Sequence, residues 1–192
     1  MAVTKQITFE GDRYSLGTIE RVTAHVAQDH VIANYFKYIT ATGNQDYSGL
    51  EYGNWTIMVN VAMADGNYIR LPEATTSNGG QHIRVILGIA ILDDLYIGYV
   101  TSKIQGGAVA VGDTNEGNAP TDIATAIADA GDNFLRVHFN LDTTANAGGT
   151  GGTVLDFWYP GVANVILYRG DLISEIDDPT LSGHFSTTAV NA

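Results

Sequence analysis

The sequence predicts a mainly β protein, an antiparallel β-sandwich or barrel of the jelly-roll type with one short helix. Three observations point there. Short apolar or alternating runs recur along the chain at the close spacing of a sandwich or barrel, broken by Gly, Asn and Asp. The composition has 22 glycines in 192 residues and only 16% charged side chains, a mixture that suits strands joined by tight turns better than helices. Aromatic and β-branched residues dominate the runs, as pleated, half-buried surfaces prefer.

Taken in order, Ile7-Thr8-Phe9-Glu10 reads as a strand and Gly11-Asp12-Arg13 as a turn. Residues 19–39 fit a helix through Ile32, Phe36 and Ile39, and a strand equally well through Val22, Ala24 and Val26. Trp55 to Met63 reads as a strand, and Asp65-Gly66 joins it to Tyr68–Leu71 as a hairpin, because Asp-Gly supplies the positive φ angles of a type I′ turn. Ile83 to Leu92 is almost wholly apolar, as in a strand buried on both faces. Asp93-Asp94 turns it into Leu95–Val100 as a second hairpin.

Ala108–Val111 is a shorter run. Pro120-Thr121-Asp122 ahead of Ile123–Gly131 predicts the helix over 122–130: Ile123 and Ile127 stand at i, i+4, Thr121 or Asp122 caps it and Gly131 ends it. In Phe134–Leu141 strict alternation sends Leu135, Val137, Phe139 and Leu141 to the core. Val154–Tyr159 and Val162–Tyr168 follow, split by Pro160-Gly161, and bring the strands to about ten. Gly112–Ala119 and Thr143–Gly152 read as flexible loops. Residues 1–181 therefore form one β domain, and Ser182–Ala192 a small, polar tail or arm. No internal repeat is visible in the sequence.

Apolar residues make up 45% of the chain, and a chain of this length buries roughly 70% of its unfolded surface, enough for a true core. The net charge is −12, spread as −1 over residues 1–50, −3 over 51–100 and −4 over each of 101–150 and 151–192. With no basic cluster, direct nucleic-acid binding and adsorption to anionic membranes are disfavoured. There is no cysteine, hence no disulfide framework, thiolate nucleophile or cysteine-ligated zinc. The start, Met1 to Gln6, lacks the apolar core of a signal peptide and no run has the length of a membrane helix, so synthesis in a cytoplasm is expected.

The chemistry-bearing residues do not assemble into a motif. The five histidines, His25, His30, His82, His138 and His184, include no H-E-x-x-H, and are read as surface or structural groups. Asp171, Glu175, Asp177 and Asp178 could offer oxygen ligands to Ca²⁺, but lack EF-hand spacing and read as a solvated loop. No G-x-S-x-G is present, and Gly148-Gly149-Thr150-Gly151-Gly152 lacks the pattern of a dinucleotide or phosphate loop. Asn54-Trp55-Thr56 is a glycosylation sequon, and Arg169-Gly170-Asp171 an adhesion-like tripeptide that more simply ends a strand. Phe157-Trp158-Tyr159 puts Trp158 on one strand face and its neighbours on the other. No catalytic, cofactor-binding or metal residue is assigned, and a non-enzymatic role is expected.

In its cysteine-free, lysine-poor strands rich in Gly, Thr, Asn and Ala, the chain resembles virion structural proteins of tailed bacteriophages, most of all the small decoration, or cement, proteins of capsid shells. The resemblance implies a homotrimeric β-sandwich or barrel in the virion. It would dock on the major capsid protein where capsomers meet and brace the shell against internal DNA pressure, with Ser182–Ala192 or the segment through Arg13 as a reaching arm. Tail-tube subunits, with a β-sandwich, flanking helix and long loop, are a second expectation. A third is a carbohydrate-binding module with Trp158 or Trp55 exposed.

Overall fold

The computed structural model describes residues 6–9, 12–15, 34–91, 94–112, 123–139, 148–174 and 180–190. The chain divides into two units, 1–33 and 34–192. In the first, β1 (Gln6–Phe9) pairs antiparallel with β2 (Asp12–Ser15), Phe9 opposite Asp12, so β2 begins inside the expected turn.

The second unit is β3 (Asn34–Ile39), β4 (Gln45–Asp46), β5 (Asn54–Val59), β6 (Asn67–Arg70), β7 (His82–Leu87), β8 (Leu95–Gly98), β9 (Lys103–Gly112), β10 (Ile123–Ala128), β11 (Arg136–Phe139), β12 (Val154–Trp158), β13 (Val165–Ser174) and β14 (Phe185–Ser186). They form two mixed sheets. One has seven strands in the order β10-β9-β13-β12-β7-β5-β3, the other five in the order β14-β11-β8-β6-β4.

From β3 to β8 the chain alternates between the sheets, and each strand lies parallel to the strand two places on. Asn34 stands beside Asn54, Gln45 beside Ile69, Trp55 beside Ile83 and Asn67 beside Leu95. The segment is thus wound as three turns, each laying one strand in each sheet. Both expected hairpins are corrected by this winding. Asp65-Gly66 does turn the chain, with Gly66 at φ 71° and Asn67 N–H bonded to the Ala64 carbonyl at 3.1 Å, but it sends β6 into the opposite sheet from β5. Likewise β7 and β8 lie in different sheets, and β7 is buried on one face only, through Ile83, Val85 and Leu87.

The expected sandwich was antiparallel; the sheets are mixed, because parallel neighbours joined through the other sheet need no long crossover helix. The expected helix at 122–130 is also corrected. Ile123–Ala128 is strand β10, antiparallel to β9 with Ile123 opposite Val111 and Ala128 opposite Gly106. Ile123, Thr125 and Ile127 satisfy a period of two as well as a helical one, and pairing with β9 decides between them. Among the described residues the one helical piece is a 3₁₀ turn at Thr76–Asn78.

Both sheets contribute to one buried core. Ile57, Val59, Val85, Leu155, Phe157 and Tyr168 come from the larger sheet, and Ile69, Leu95, Ile97, Val137 and Phe139 from the smaller. A carboxylate ties the crossovers together at one end. Glu73 Oε1 accepts from the Val100 N–H at 2.7 Å, while Oε2 accepts from the Ser102 N–H at 2.8 Å and the Thr101 hydroxyl at 2.8 Å. Ser102 Oγ also donates to Oε2 at 2.7 Å and accepts from the Ala74 N–H at 2.8 Å. Burial alone would raise the Glu73 carboxyl; these donors outweigh it and hold it below its ordinary range.

Part of one loop and the tail depart from expectation. Gly148–Gly152, read as flexible, is built in: Ile91 N–H donates to the Gly149 carbonyl at 2.9 Å and Gly152 N–H to that of Leu87 at 2.7 Å. The remainder of 143–152 and the loop at 112–119 lie largely outside the described residues. Ser182–Val190, read as a free tail or arm, joins the fold: β14 pairs with β11, Val190 is buried, and its N–H bonds the Tyr99 carbonyl at 2.9 Å.

His184 on that segment is fully buried. Its Nδ1 lies 3.1 Å from the His138 carbonyl, which can only accept, so Nδ1 carries the proton and Nε2 accepts from the Tyr168 hydroxyl at 2.9 Å. Burial lowers its pKa from 6.5 to about 3. The unfolded chain therefore takes up a proton below pH 6.5 that the folded chain refuses, and stability is lost as pH falls from there toward 3. We expect the drop in urea-unfolding free energy from pH 7 to pH 5 to exceed that of His184→Gln by about 2 kcal/mol; equal drops would contradict this burial.

Candidate functional site

The outward face of the seven-stranded sheet is the most distinctive surface of the molecule. Alternation along each strand sends every second residue to it. One row, read across the sheet by register, is Phe36, Thr56, Arg84, Asp156, Arg169, Gly107 and Ile127. The next is Tyr38, Met58, Ile86, Val154, Asp171, Val109 and Thr125. The face carries Phe36, Tyr38, Val109, Ile123, Ile127, Trp158, Leu167 and Ile173, which are most of the exposed large apolar side chains among the described residues. The two edge strands hold the most exposed, with Phe36 at 51% and Tyr38 at 59% on β3, and Ile123 at 64% and Ile127 at 72% on β10.

At its centre lies an ion cluster. Asp156 is buried, and Arg84 grips it with Nε on Oδ1 at 2.7 Å and Nη2 on Oδ2 at 3.0 Å. His82 Nε2 donates to Oδ1 at 2.7 Å, and its ring stacks on Trp158 at 5.1 Å and 7°. Burial would raise the Asp156 carboxyl; the hydrogen bonds from Arg84 and His82 overcome it and hold it below the ordinary carboxylate range. Beside it Arg169 Nη2 reaches Asp171 Oδ1 at 3.1 Å. These paired charges thus neutralise one another, and the face's most exposed apolar side chains lie on its two edge strands.

The outer face of the smaller sheet is of different character. Arg136 lies 3.9 Å over the Tyr96 ring, His138 Nε2 is 2.8 Å from Asp94 Oδ1, and Arg70 is 3.6 Å from Asp46. The described histidines are therefore dispersed, His82 on one sheet, His138 on the other and His184 in the core, while His25 and His30 lie outside the described residues. Among the described residues no group of three or more His, Asp or Glu could hold a metal ion. Asp171 pairs with Arg169, and Glu175, Asp177, Asp178 and Asp93 lie outside the described residues. Arg169-Gly170-Asp171 does not end a strand: β13 continues to Ser174, and Gly170 faces inward, where an added Cβ would stand 2.2 Å from the Tyr168 hydroxyl oxygen. Asn54-Trp55-Thr56 lies within β5, with Asn54 Nδ2 donating to Asn34 Oδ1 at 3.2 Å. Trp158 faces outward between buried Phe157 and Tyr159, as alternation predicts.

The sequence reading passed over the Arg84–Asp156–His82 cluster. Its members are 72 and 74 residues apart, and the one local signal was a charged residue interrupting an apolar strand. No family model, curated protein or solved structure matches the chain.

Asp156→Asn keeps the shape of the cluster and removes its charge. We expect a loss of about 1–3 kcal/mol at pH 7, nearer the lower figure because Arg84 is half exposed. The Asp156 contribution is present at neutral pH and vanishes as pH falls through its lowered pKa, so wild type and variant converge in acid. Urea unfolding at pH 7 and pH 3 measures both; an equally stable variant at pH 7 would contradict the assignment.

Proposed function

We propose that the protein is a non-enzymatic structural subunit of a tailed-phage virion that docks through the outer face of its seven-stranded sheet and stabilises a capsid shell, as a decoration protein does. The observation carrying this reading is that face. Apolar side chains flank a charge cluster that satisfies itself internally, so covering them removes apolar surface from water without stranding the cluster's charges. We read the two sheets on one core as a β-sandwich, which holds the face on rigid elements. Binding the assembled shell and not its dissociated parts stabilises the shell by mass action.

The resemblance stated above directs the reading to the capsid in preference to the tail. Trp158 stacks on His82, so the charge cluster occupies one side of the indole, which suits a protein interface better than an open sugar platform.

Cosedimentation with DNA-free shells, free capsomers and tails built from the structural proteins encoded beside it tests the proposal. We expect binding to shells alone, weakened at least tenfold by Leu167→Lys with Ile173→Lys, both exposed on the face. Binding to tails would move the protein to the tail; no binding to any of the three would sink the reading.

A further inference from the structure

Among the described residues β3 and β10 are the two ends of the seven-stranded sheet, each with a neighbour on one side only. Three features make these ends fit one another. Each strand is six residues long. They run in opposite directions, because β5, β7, β13 and β9 share the direction of β3, while β12 and β10 oppose it. Both present their most exposed apolar side chains on the same outer face, Phe36 and Tyr38 at one end, Ile123 and Ile127 at the other.

Bare, apolar edges of this kind invite strand pairing. The space beside β10 is suited to it. A groove of about 560 Å³ runs along its inner side, floored by Ala124, Ala126, Phe134, Leu181 and Phe185. Small alanines on the inner side leave room there for the inward side chains of an added strand, so the core layer can continue past the last strand. The chain itself carries the matching strand at the other end of the sheet, which makes a second copy the occupant.

We propose that β10 of one copy pairs antiparallel with β3 of the next, so that the seven-stranded sheet runs from copy to copy and the protein closes into a ring. Such a head-to-tail contact buries two different patches, and closes only when the rotation between copies divides the circle. Phe36 and Tyr38 would then lie beside Ile123 and Ile127 of the neighbour, joining the apolar rims into one continuous band. The inference goes beyond the docking reading and stands or falls separately from it.

Two blocked variants of the full chain test it: Phe36→Lys with Tyr38→Lys for the β3 end, and Ile123→Lys with Ile127→Lys for the β10 end. All four side chains are more than half exposed, so both variants should keep the wild-type circular dichroism, with an unfolding midpoint lowered only by the lost association. Light scattering after size exclusion should give a wild-type oligomer, and each variant alone at the monomer mass of 20.5 kDa. A one-to-one mixture should give twice that mass and no more, because each pair retains one intact β10–β3 contact. A wild-type monomer, a folded variant that keeps the wild-type mass, or a mixture that stays monomeric would each overturn the proposal. A monomer that still binds shells would reject the ring and leave the docking reading standing; a ring that ignores shells and tails would do the reverse.

Discussion

Parallel strands side by side cannot be joined by a tight turn; the chain has to leave the sheet at one end and re-enter it at the other. In this protein the return is made through the opposite sheet, four times between β3 and β8, twice for each sheet. Everything else in the second unit is built around that winding. Both sheets grow together, each turn of the chain adds a strand to both, and the inward residues of each new pair meet in the same core. The later strands then complete the sheets, β12 antiparallel to β7 and β11 antiparallel to β8. The crossovers leave backbone donors at the sheet ends, and Glu73 collects several of them on one carboxylate from the loop that follows β8.

The winding also determines what the surface can do. A coil of two sheets buries two inner faces and leaves two outer ones, plus an edge at each end. On the smaller sheet the outer face is filled with charged and aromatic side chains that pair among themselves. On the larger sheet charges pair at the Asp156 cluster and between Arg169 and Asp171, and the most exposed apolar residues of the face lie on its edge strands. That distribution is what the proposed docking and strand pairing rest on.

Much of the strand content was legible because alternation is a local property. Leu135, Val137 and Phe139 against Arg136 and His138, or Phe157 and Tyr159 against Trp158, need no more than the pleat. What was not legible is where each strand goes. Asp65-Gly66 has the chemistry of a hairpin turn and is a turn, but β6 pairs with β4 and β8, not β5, and no local signal records it. Ile123–Ala128 carries a helix-friendly composition and a pattern that serves both periods, so its state is decided by β9. The polar stretch from Ser182 reads as a tail or arm, yet it brings His184 and Val190 into the core, since a buried neutral imidazole and one valine weigh little in a composition. The candidate face, drawn from strands far apart in the chain, exists only once the register is known.

Backbone amide exchange on the assembled protein tests the central claim most directly. If the larger sheet continues from copy to copy through its outer-face edges, amides of β3 and β10 exchange as slowly as those of interior strands such as β7 and β12. Fast exchange in β3 and β10, with slow exchange confined to the strands between them, would show two free edges and contradict the account.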